Sequence, residues 1–90
     1  VSMGTIAARD ALRVLALVEQ VTAATLHAAC QAVELRGQLA DAPPLPKRLA
    51  GFLDDCRQTF PALGEDRALE HELRTLCDLI RQRHWSLYDA

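Results

Sequence analysis

His27 and Cys30 are the residues whose types and spacing come closest to a reactive or metal-binding pair in this sequence. They stand three positions apart, so in a helix they share one face, and imidazole and thiolate both bind zinc. A zinc site needs at least a third protein ligand at the same point, and no other His or Cys has the spacing to supply one. We therefore predict no metal site. We expect His27 to be a core histidine hydrogen-bonded to a neighbouring helix, and Cys30 to be a packed thiol.

Other candidate catalytic groups have simpler structural explanations. Ser2 has no histidine nearby in sequence and no surrounding glycine pattern of a nucleophile, and its place before an apolar run is typical of a helix N-cap. The acid pairs Asp54–Asp55 and Glu65–Asp66 are expected at exposed or helix-capping positions. His71, between two glutamates, indicates a solvated helix surface. The four glycines are scattered and form no phosphate-binding loop. The sequence alone therefore contains no catalytic residue set.

Composition limits the classes of partner. Ninety residues make one domain at most, and a hydrophobic fraction of 50% argues against disorder. The 10 basic and 12 acidic residues give a net charge of -2 without a basic stripe, which excludes nucleic acid and anionic membranes as expected partners. Polar residues interrupt every long apolar stretch, so no transmembrane segment is predicted. Three cysteines without a CxxC motif indicate free thiols in a reducing, cytoplasmic compartment.

The elements that would carry these residues are all helical. The sequence predicts a helix over 2–36, a Pro-rich linker over 37–45, a helix over 46–59, a turn over 60–66, a helix over 67–84 and a tail over 85–90. Gly37 and the prolines of the linker, and Pro61 and Gly64 of the turn, mark the boundaries. The two shorter helices are each predicted to have one buried face, formed by Leu49, Phe52, Leu53, Cys56 and Phe60 in the first and by Leu69, Leu73, Leu76, Cys77 and Ile80 in the second. Arg57 is predicted to face water, Glu65 and Asp66 to lie at the positive end of the last helix, and Arg81, Arg83 and His84 at its negative end.

The first helix is unusual because it is apolar on nearly every side. Some 32 residues at 1.5 Å per residue span roughly 48 Å, well beyond a compact fold of this size. A helix of this kind belongs inside a larger helical assembly. We therefore predict an all-α chain with one very long bundle helix and two shorter amphipathic helices. The residues assigned to the bundle core and to contacts between copies are Val14, Leu17, Val21, Leu26 and Cys30.

Three stretches of the sequence carry a resemblance to a known family. VSMGTIAAR (1–9), VTAATLHAACQAVELRG (21–37) and FPALGEDRALEHEL (60–73) resemble, in this order, the C-terminal part of the aromatic amino acid ammonia-lyases. That family comprises the histidine, phenylalanine and tyrosine ammonia-lyases and the related aminomutases, and the first stretch is most similar to the histidine and tyrosine type. Thr25 and His27 depart from the family pattern, which has glutamate and leucine there.

The resemblance implies a large helical homotetramer whose core is a bundle of long helices shared between subunits. It also implies a 4-methylideneimidazole-5-one group, which forms from an Ala-Ser-Gly tripeptide, together with acidic and amide active-site residues upstream of Val1. No Ala-Ser-Gly occurs in the 90 residues. The chain is therefore expected to be a C-terminal part of such an enzyme, with no catalytic residue of its own and no activity alone. Its partners would be the rest of the lyase chain and its own copies.

One part of the chain is expected near the chemistry. By the same resemblance, Ser2, Met3 and Gly4 at the positive end of the long helix would flank the active site. An N-cap, a core methionine and a helix-start glycine explain the same three residues without a functional role. A second hypothesis for the whole chain is a stand-alone helical module that oligomerises through the long helix and has no enzymatic activity.

Overall fold

The computed structural model describes residues 3–85, and within that range the chain contains three α-helices and no β-strand. Helix α1 spans Met3–Gly37, α2 spans Lys47–Thr59 and α3 spans Glu70–Arg81. The predicted all-α class is thus confirmed for the described residues. None of these helices combines the length and the hydropathy that a bilayer-spanning helix requires. Ser2 and residues 86–90, for which the sequence predicts an N-cap and part of the tail, lie outside the described range.

Helix α1 has 35 residues, which at 1.5 Å per residue gives a length of about 52 Å. Alanine and leucine, both strong helix formers, dominate its sequence. The radius of gyration is 16.6 Å, against about 12 Å for a compact domain of this size. Gly37, expected to mark the boundary of the helix, is its last residue, and without a positive φ it does not form a left-handed cap. The N–H groups of Gln38 and Leu39 instead bond the carbonyls of Leu35 and Arg36, at 3.2 and 3.1 Å.

Proline fixes both ends of α2. Pro46 is its N-cap rather than its first residue, because a ψ of 143° keeps Pro46 extended, and its carbonyl accepts the N–H of Ala50 at 2.9 Å. At the other end Phe60 is extended, as expected of a residue that precedes proline. Its N–H still bonds the carbonyl of Cys56 at 3.0 Å. Leu49, predicted to be buried, is 50% exposed because it lines an open apolar groove with Leu45 rather than filling it.

Helix α3 is shorter than the predicted range of 67–84 at both ends. It begins at Glu70 because the side chain of Arg67 bonds the carbonyls of Pro61 and Ala62, which holds the preceding residues in a loop. It ends at Arg81 because Arg83 takes a left-handed φ of 52°. Glu65 and Asp66 consequently lie in the loop, and Glu70 and Glu72 are the acids of the first turn. Arg81 alone, without Arg83 and His84, lies in the last turn.

The hydrophobic core lies between α2, α3 and the C-terminal half of α1. Phe60 and Leu76 are its largest fully buried side chains. Trp85, the last described residue, is 8% exposed and packs its ring edge-to-face on Phe52 with the centroids 5.4 Å apart. The remaining buried apolar residues of the core are Ala23, Cys30 and Cys56. This core covers only one side and one end of α1.

Candidate interface on helix α1

The N-terminal half of α1 carries apolar side chains that nothing in the described chain covers. Every residue from Met3 to Val18 is exposed, and Leu12 is exposed by 70%. Isolated exposed apolar residues are ordinary, but a contiguous run over several helical turns marks an interaction surface. This half of the helix is therefore the candidate functional site.

The five residues predicted for bundle core and copy contacts divide into two groups. Val14, Leu17 and Val21 are 57%, 53% and 66% exposed. Leu26 is half-buried and Cys30 is buried, because both pack against the chain's own core. Sequence periodicity cannot distinguish the two groups, because apolar residues surround the whole helix. The fold separates them by placing α2 and α3 beside the C-terminal half only.

His27 is the centre of the contacts that fix α1 to α3. It is 5% exposed, its ring stacks on Phe60 with the centroids 4.5 Å apart, and its Nε2 lies 3.3 Å from a carboxylate oxygen of Glu72. The expected core histidine bonded to a neighbouring helix is thus confirmed. Arg67 donates from Nε and Nη2 to Glu72, at 3.3 and 3.2 Å. These bonds from Arg67 hold the pKa of the Glu72 carboxyl below its usual value, although burial partly opposes them.

Gln31 attaches the loop between α2 and α3 to α1. Its side-chain amide donates to the carbonyl of Leu63 at 3.1 Å, and its side-chain oxygen accepts the N–H of Leu63 at 3.0 Å. The amide thus satisfies both backbone groups of one loop residue, as a neighbouring strand would. Glu19, further along α1, accepts a hydrogen bond from Nε of Arg81 at 3.1 Å and forms an ion pair with the last turn of α3.

Arg57 does not face water, contrary to the prediction. Its side chain is only 17% exposed, because Nε forms an ion pair with Glu34 of α1 and the guanidinium lies over the ring of Phe60, 5.1 Å from the centroid. Nη1 donates to the carbonyl of Phe60 at 3.5 Å. The Glu34 hydrogen bond raises the pKa of Arg57 above its already high value. Arg57 therefore fixes α2 to α1 at the level of the core.

Cys30 of α1 and Cys56 of α2 bring two buried thiols together, and their side chains share a hydrogen bond. Burial raises the pKa of Cys56 to about 12 and also raises the pKa of Cys30. Both thiols are consequently protonated near neutral pH and act as small apolar groups rather than nucleophiles.

His27 and Cys30, the two residues considered as a metal-binding pair, contact different partners. His27 contacts Glu72 and Phe60, whereas Cys30 contacts Cys56. Across residues 3–85, no group of three His, Cys, Asp or Glu side chains has the arrangement of a metal site.

Two of the three residues assigned to an active-site flank lie in the described range. Met3 is 74% exposed, and a Cβ added at Gly4 would meet no atom within 4 Å. The first turn of α1 contains no acidic residue, so no side-chain charge there offsets the positive end of the helix dipole. Nothing in residues 3–85 therefore covers this end of α1.

Sequence reasoning missed the polar contacts Gln31, Glu34, Arg57, Arg67 and Glu72. The sequence does contain a signal for Gln31 and Glu34. Together with His27 they follow the i, i+4, i+7 spacing of one face of α1. Three hydrogen-bonding residues on one face of an otherwise apolar helix indicate partners on a neighbouring element. No comparable signal in the sequence identifies Arg67, because its role depends on how the loop folds back.

The chain matches known proteins over most of its length. The sequence profile of the aromatic amino acid lyases matches residues 1–58. A histidine ammonia-lyase of Caenorhabditis elegans is 41% identical over 86 residues, which cover 94% of this chain and 12% of that protein. A tyrosine ammonia-lyase of Cupriavidus metallidurans is 37% identical over 82 residues, 91% of this chain and 15% of that protein.

A related enzyme with a different reaction is also similar. The MIO-dependent tyrosine 2,3-aminomutase of Streptomyces globisporus is 34% identical over 80 residues, 89% of this chain and 14% of that protein. No solved structure gives a significant match. The chain thus spans only 12–15% of the length of these relatives. The profile match and the sequence identities together place the chain in the aromatic amino acid lyase family.

Proposed function

We propose that the chain is the C-terminal part of an aromatic amino acid ammonia-lyase of the histidine or tyrosine type, or of a related aminomutase. Its role there is structural: α1 forms part of the helical core and of the contact between copies of a homo-oligomer, a tetramer in the complete enzyme. The observation that carries the proposal is the exposed apolar half of α1, from Met3 to Val18, in a chain that belongs to this family.

The elimination of ammonia is assigned to the complete enzyme and not to these residues. The prosthetic group of the family forms from Ala-Ser-Gly, a tripeptide that the 90 residues do not contain, so this chain cannot build that electrophile. The chain's own titratable groups also support a structural rather than a catalytic role for these residues. Glu72 bonds both the buried His27 and the loop residue Arg67, and the buried thiols are held protonated. These groups stabilise the fold.

Ser2, Met3 and Gly4 are proposed to flank the active site of the complete enzyme. The exposure of Met3, the open space at Gly4 and the absence of an acid in the first turn support this assignment for the described part of the stretch. A cytoplasmic location is also part of the proposal, and the free thiols Cys30, Cys56 and Cys77 support it, since thiols persist in reducing compartments.

The test combines an activity assay with a hydrodynamic measurement on the 90-residue chain. Incubation with histidine, phenylalanine or tyrosine is expected to give no rise in the ultraviolet absorbance of urocanate or cinnamates. Sedimentation velocity is expected to show self-association at micromolar concentration. Reproducible turnover by the pure chain would refute the structural role, and a stable monomer would refute the interface.

One further observation separates the lyase from the stand-alone module. The reading frame that encodes the chain is expected to continue upstream of Val1 through an Ala-Ser-Gly tripeptide. A start codon close to Met3, with no lyase sequence before it, would favour a helical oligomerisation module without enzymatic activity.

A further inference from the structure

The linker between α1 and α2 leads into α2 through a proline-rich segment, APPLPKR, at residues 42–48. Two properties of proline restrict its backbone. The ring locks the φ of each proline, and the residue before a proline is kept out of the helical region. Every residue from Ala42 to Pro46 is a proline or precedes one, so the sequence favours a polyproline II backbone there.

The structure presents this segment at the surface. Residues 42–46 belong to no helix or strand, and Pro46 has φ −52° and ψ 143°, close to the polyproline II values. Residues 43–48 are all exposed. No backbone hydrogen bond joins Pro43, Pro44 or Leu45 to another described residue. Residues 43–45 thus lie on the surface without pairing their backbone to the rest of the described chain.

Lys47 and Arg48, which follow the prolines, are the first two residues of α2. Cations are unfavourable at this position, because the start of a helix carries the positive end of its dipole. The first turn of α2 contains no acidic residue, and Pro46 provides no side-chain cap hydrogen bond. The start of α2 therefore lacks the acid or polar cap that would stabilise it, and instead places two positive charges beside the prolines.

We propose that residues 43–48 are a docking segment for a protein domain that has an aromatic-lined groove for polyproline II helices and carboxylates at one end of that groove. Three residues make one turn of a polyproline II helix, so the PxxP spacing puts Pro43 and Pro46 on one edge, which would lie in the groove. Lys47 and Arg48 would lie beside the carboxylates, which fixes the direction in which the segment binds. The docking segment is separate from α1 and does not depend on the role proposed for that helix.

The conformation of the docking segment lowers the cost of binding. A polyproline II segment is already extended, so it loses little conformational entropy when a groove receives it. Its prolines pack against the aromatic side chains that line such a groove. The contact is short, so we expect a weak complex with a dissociation constant on the order of 1–100 μM.

A rigid spacer is the simpler explanation of the prolines, because proline-rich linkers are stiff. Stiffness accounts for the three prolines but not for the two cations, which oppose the dipole of α2. Recognition accounts for both, since cations at the end of a proline edge supply the charge that a carboxylate-lined groove attracts.

Titration of the 90-residue chain into an isotope-labelled SH3 domain, followed by NMR, tests the proposal. The probe is an SH3 domain with acidic residues beside its aromatic groove, since domains of this class bind PxxP segments. The chain is expected to shift the amide resonances of residues that line the groove. No shift up to about 1 mM chain, or shifts confined to other surfaces of the probe, would overturn the proposal.

Two proline substitutions test which edge is recognised. Pro43→Ala is expected to weaken binding about tenfold, because it removes one of the two rings that enter the groove. Pro44→Ala is the matched control, since Pro44 is also exposed but lies on a different edge, and it should weaken binding less than about threefold. Circular dichroism of both variants establishes that the helices are retained. Equal weakening by the two substitutions would contradict recognition of the Pro43–Pro46 edge.

Lys47→Gln separates recognition from folding, because the two expected effects have opposite signs. Removing a cation from the positive end of α2 should raise the urea midpoint slightly. The same substitution should weaken binding to the SH3 domain about threefold or more at low ionic strength, and less at high ionic strength. Arg74→Gln removes an exposed cation from α3, changes the net charge equally and should leave binding unchanged. Equal binding by the Lys47 and Arg74 variants would contradict the part of the cations in docking.

Discussion

Both halves of α1 are more than half apolar but have different surroundings. The half that ends at Val18 is exposed throughout, whereas the half that begins at Glu19 carries His27, Gln31 and Glu34, each of which bonds another element. Apolar residues alone do not decide which part of a helix its own chain covers, because they surround both halves. The polar residues decide it, since a buried hydrogen-bonding group is tolerated only where a partner meets it. The comparison indicates that the polar face of α1 fixes the intramolecular fold, whereas the apolar half is left uncovered by residues 3–85.

The largest expected effect on folding is at Phe60, in the covered half. Its ring is fully buried, stacks on His27 and lies under the guanidinium of Arg57. Phe60→Ala is expected to lower the free energy of unfolding by about 3–5 kcal/mol, because it removes a buried ring and leaves a cavity. That is a large share of the roughly 5–15 kcal/mol available to a small domain. Urea denaturation followed by circular dichroism measures the change.

Leu12→Ala in the exposed half is the matched control. Its side chain is 70% exposed in the single chain, so for the dissociated chain we expect a change within about 0.5 kcal/mol. Similar losses at Phe60 and Leu12 would contradict the division of α1 into a covered and an exposed half.

Val21→Asp is expected to weaken self-association without lowering the stability of the single chain. The side chain is 66% exposed in the single chain, so the substitution should leave the urea midpoint of the dissociated chain nearly unchanged. At the proposed contact between copies of α1 the introduced aspartate would be buried without a partner, so the dissociation constant should rise on the order of 100-fold or more. Sedimentation equilibrium measures this, with Leu39→Asp, which is 65% exposed and lies after the end of α1, as an equally charged control outside the proposed interface. A loss of association no greater for Val21 than for Leu39 would argue against the proposed interface on α1.

Some parts of the fold could be predicted from the sequence and others could not. Three helices follow from periodicity and from proline and glycine, and the boundary at Phe60 follows from Pro61. The start of α3 could not be predicted, because it depends on Arg67 bonding the carbonyls of Pro61 and Ala62 across a loop. The position of Arg57 was predicted wrongly for a similar reason. A charged residue beside a buried face is expected in water until Glu34 of another helix is known to meet it.

The candidate interface could be predicted in type but not in position. A helix that is apolar on every side must be covered by other parts of a protein, and the sequence establishes this need equally from Val14 and from Leu26. Only the placement of α2 and α3 reveals that Leu26 is covered by its own chain and Val14 is not.

Arg57→Ala and Arg74→Ala compare the loss of a half-buried Arg–Glu ion pair with the loss of an exposed one. The Arg57–Glu34 pair joins α2 to α1 with side chains 17% and 31% exposed, whereas the Arg74–Glu70 pair on α3 is 76% and 74% exposed. We expect Arg57→Ala to cost about 1–3 kcal/mol, because it leaves Glu34 and the carbonyl of Phe60 without their donor. Arg74→Ala should cost about 0.3–0.5 kcal/mol. Equal costs in urea denaturation would mean that Arg57 does not fix α2 to α1.

The smallest expected effect is a pH dependence that arises in the covered half. Hydrogen bonds from Arg67 hold the pKa of Glu72 below its usual value of 4.5, so the folded chain binds fewer protons there than the unfolded chain. The stability that this carboxylate contributes is fully present above about pH 4.5 and is lost as the pH falls through the lowered pKa. Glu72→Gln should therefore reduce the difference between urea midpoints measured at pH 6 and at pH values below about 4. Glu70→Gln, on the exposed side of the same helix, should leave that difference nearly unchanged. A pH dependence identical in the two variants would contradict the role of Glu72 in joining α3 to His27 of α1.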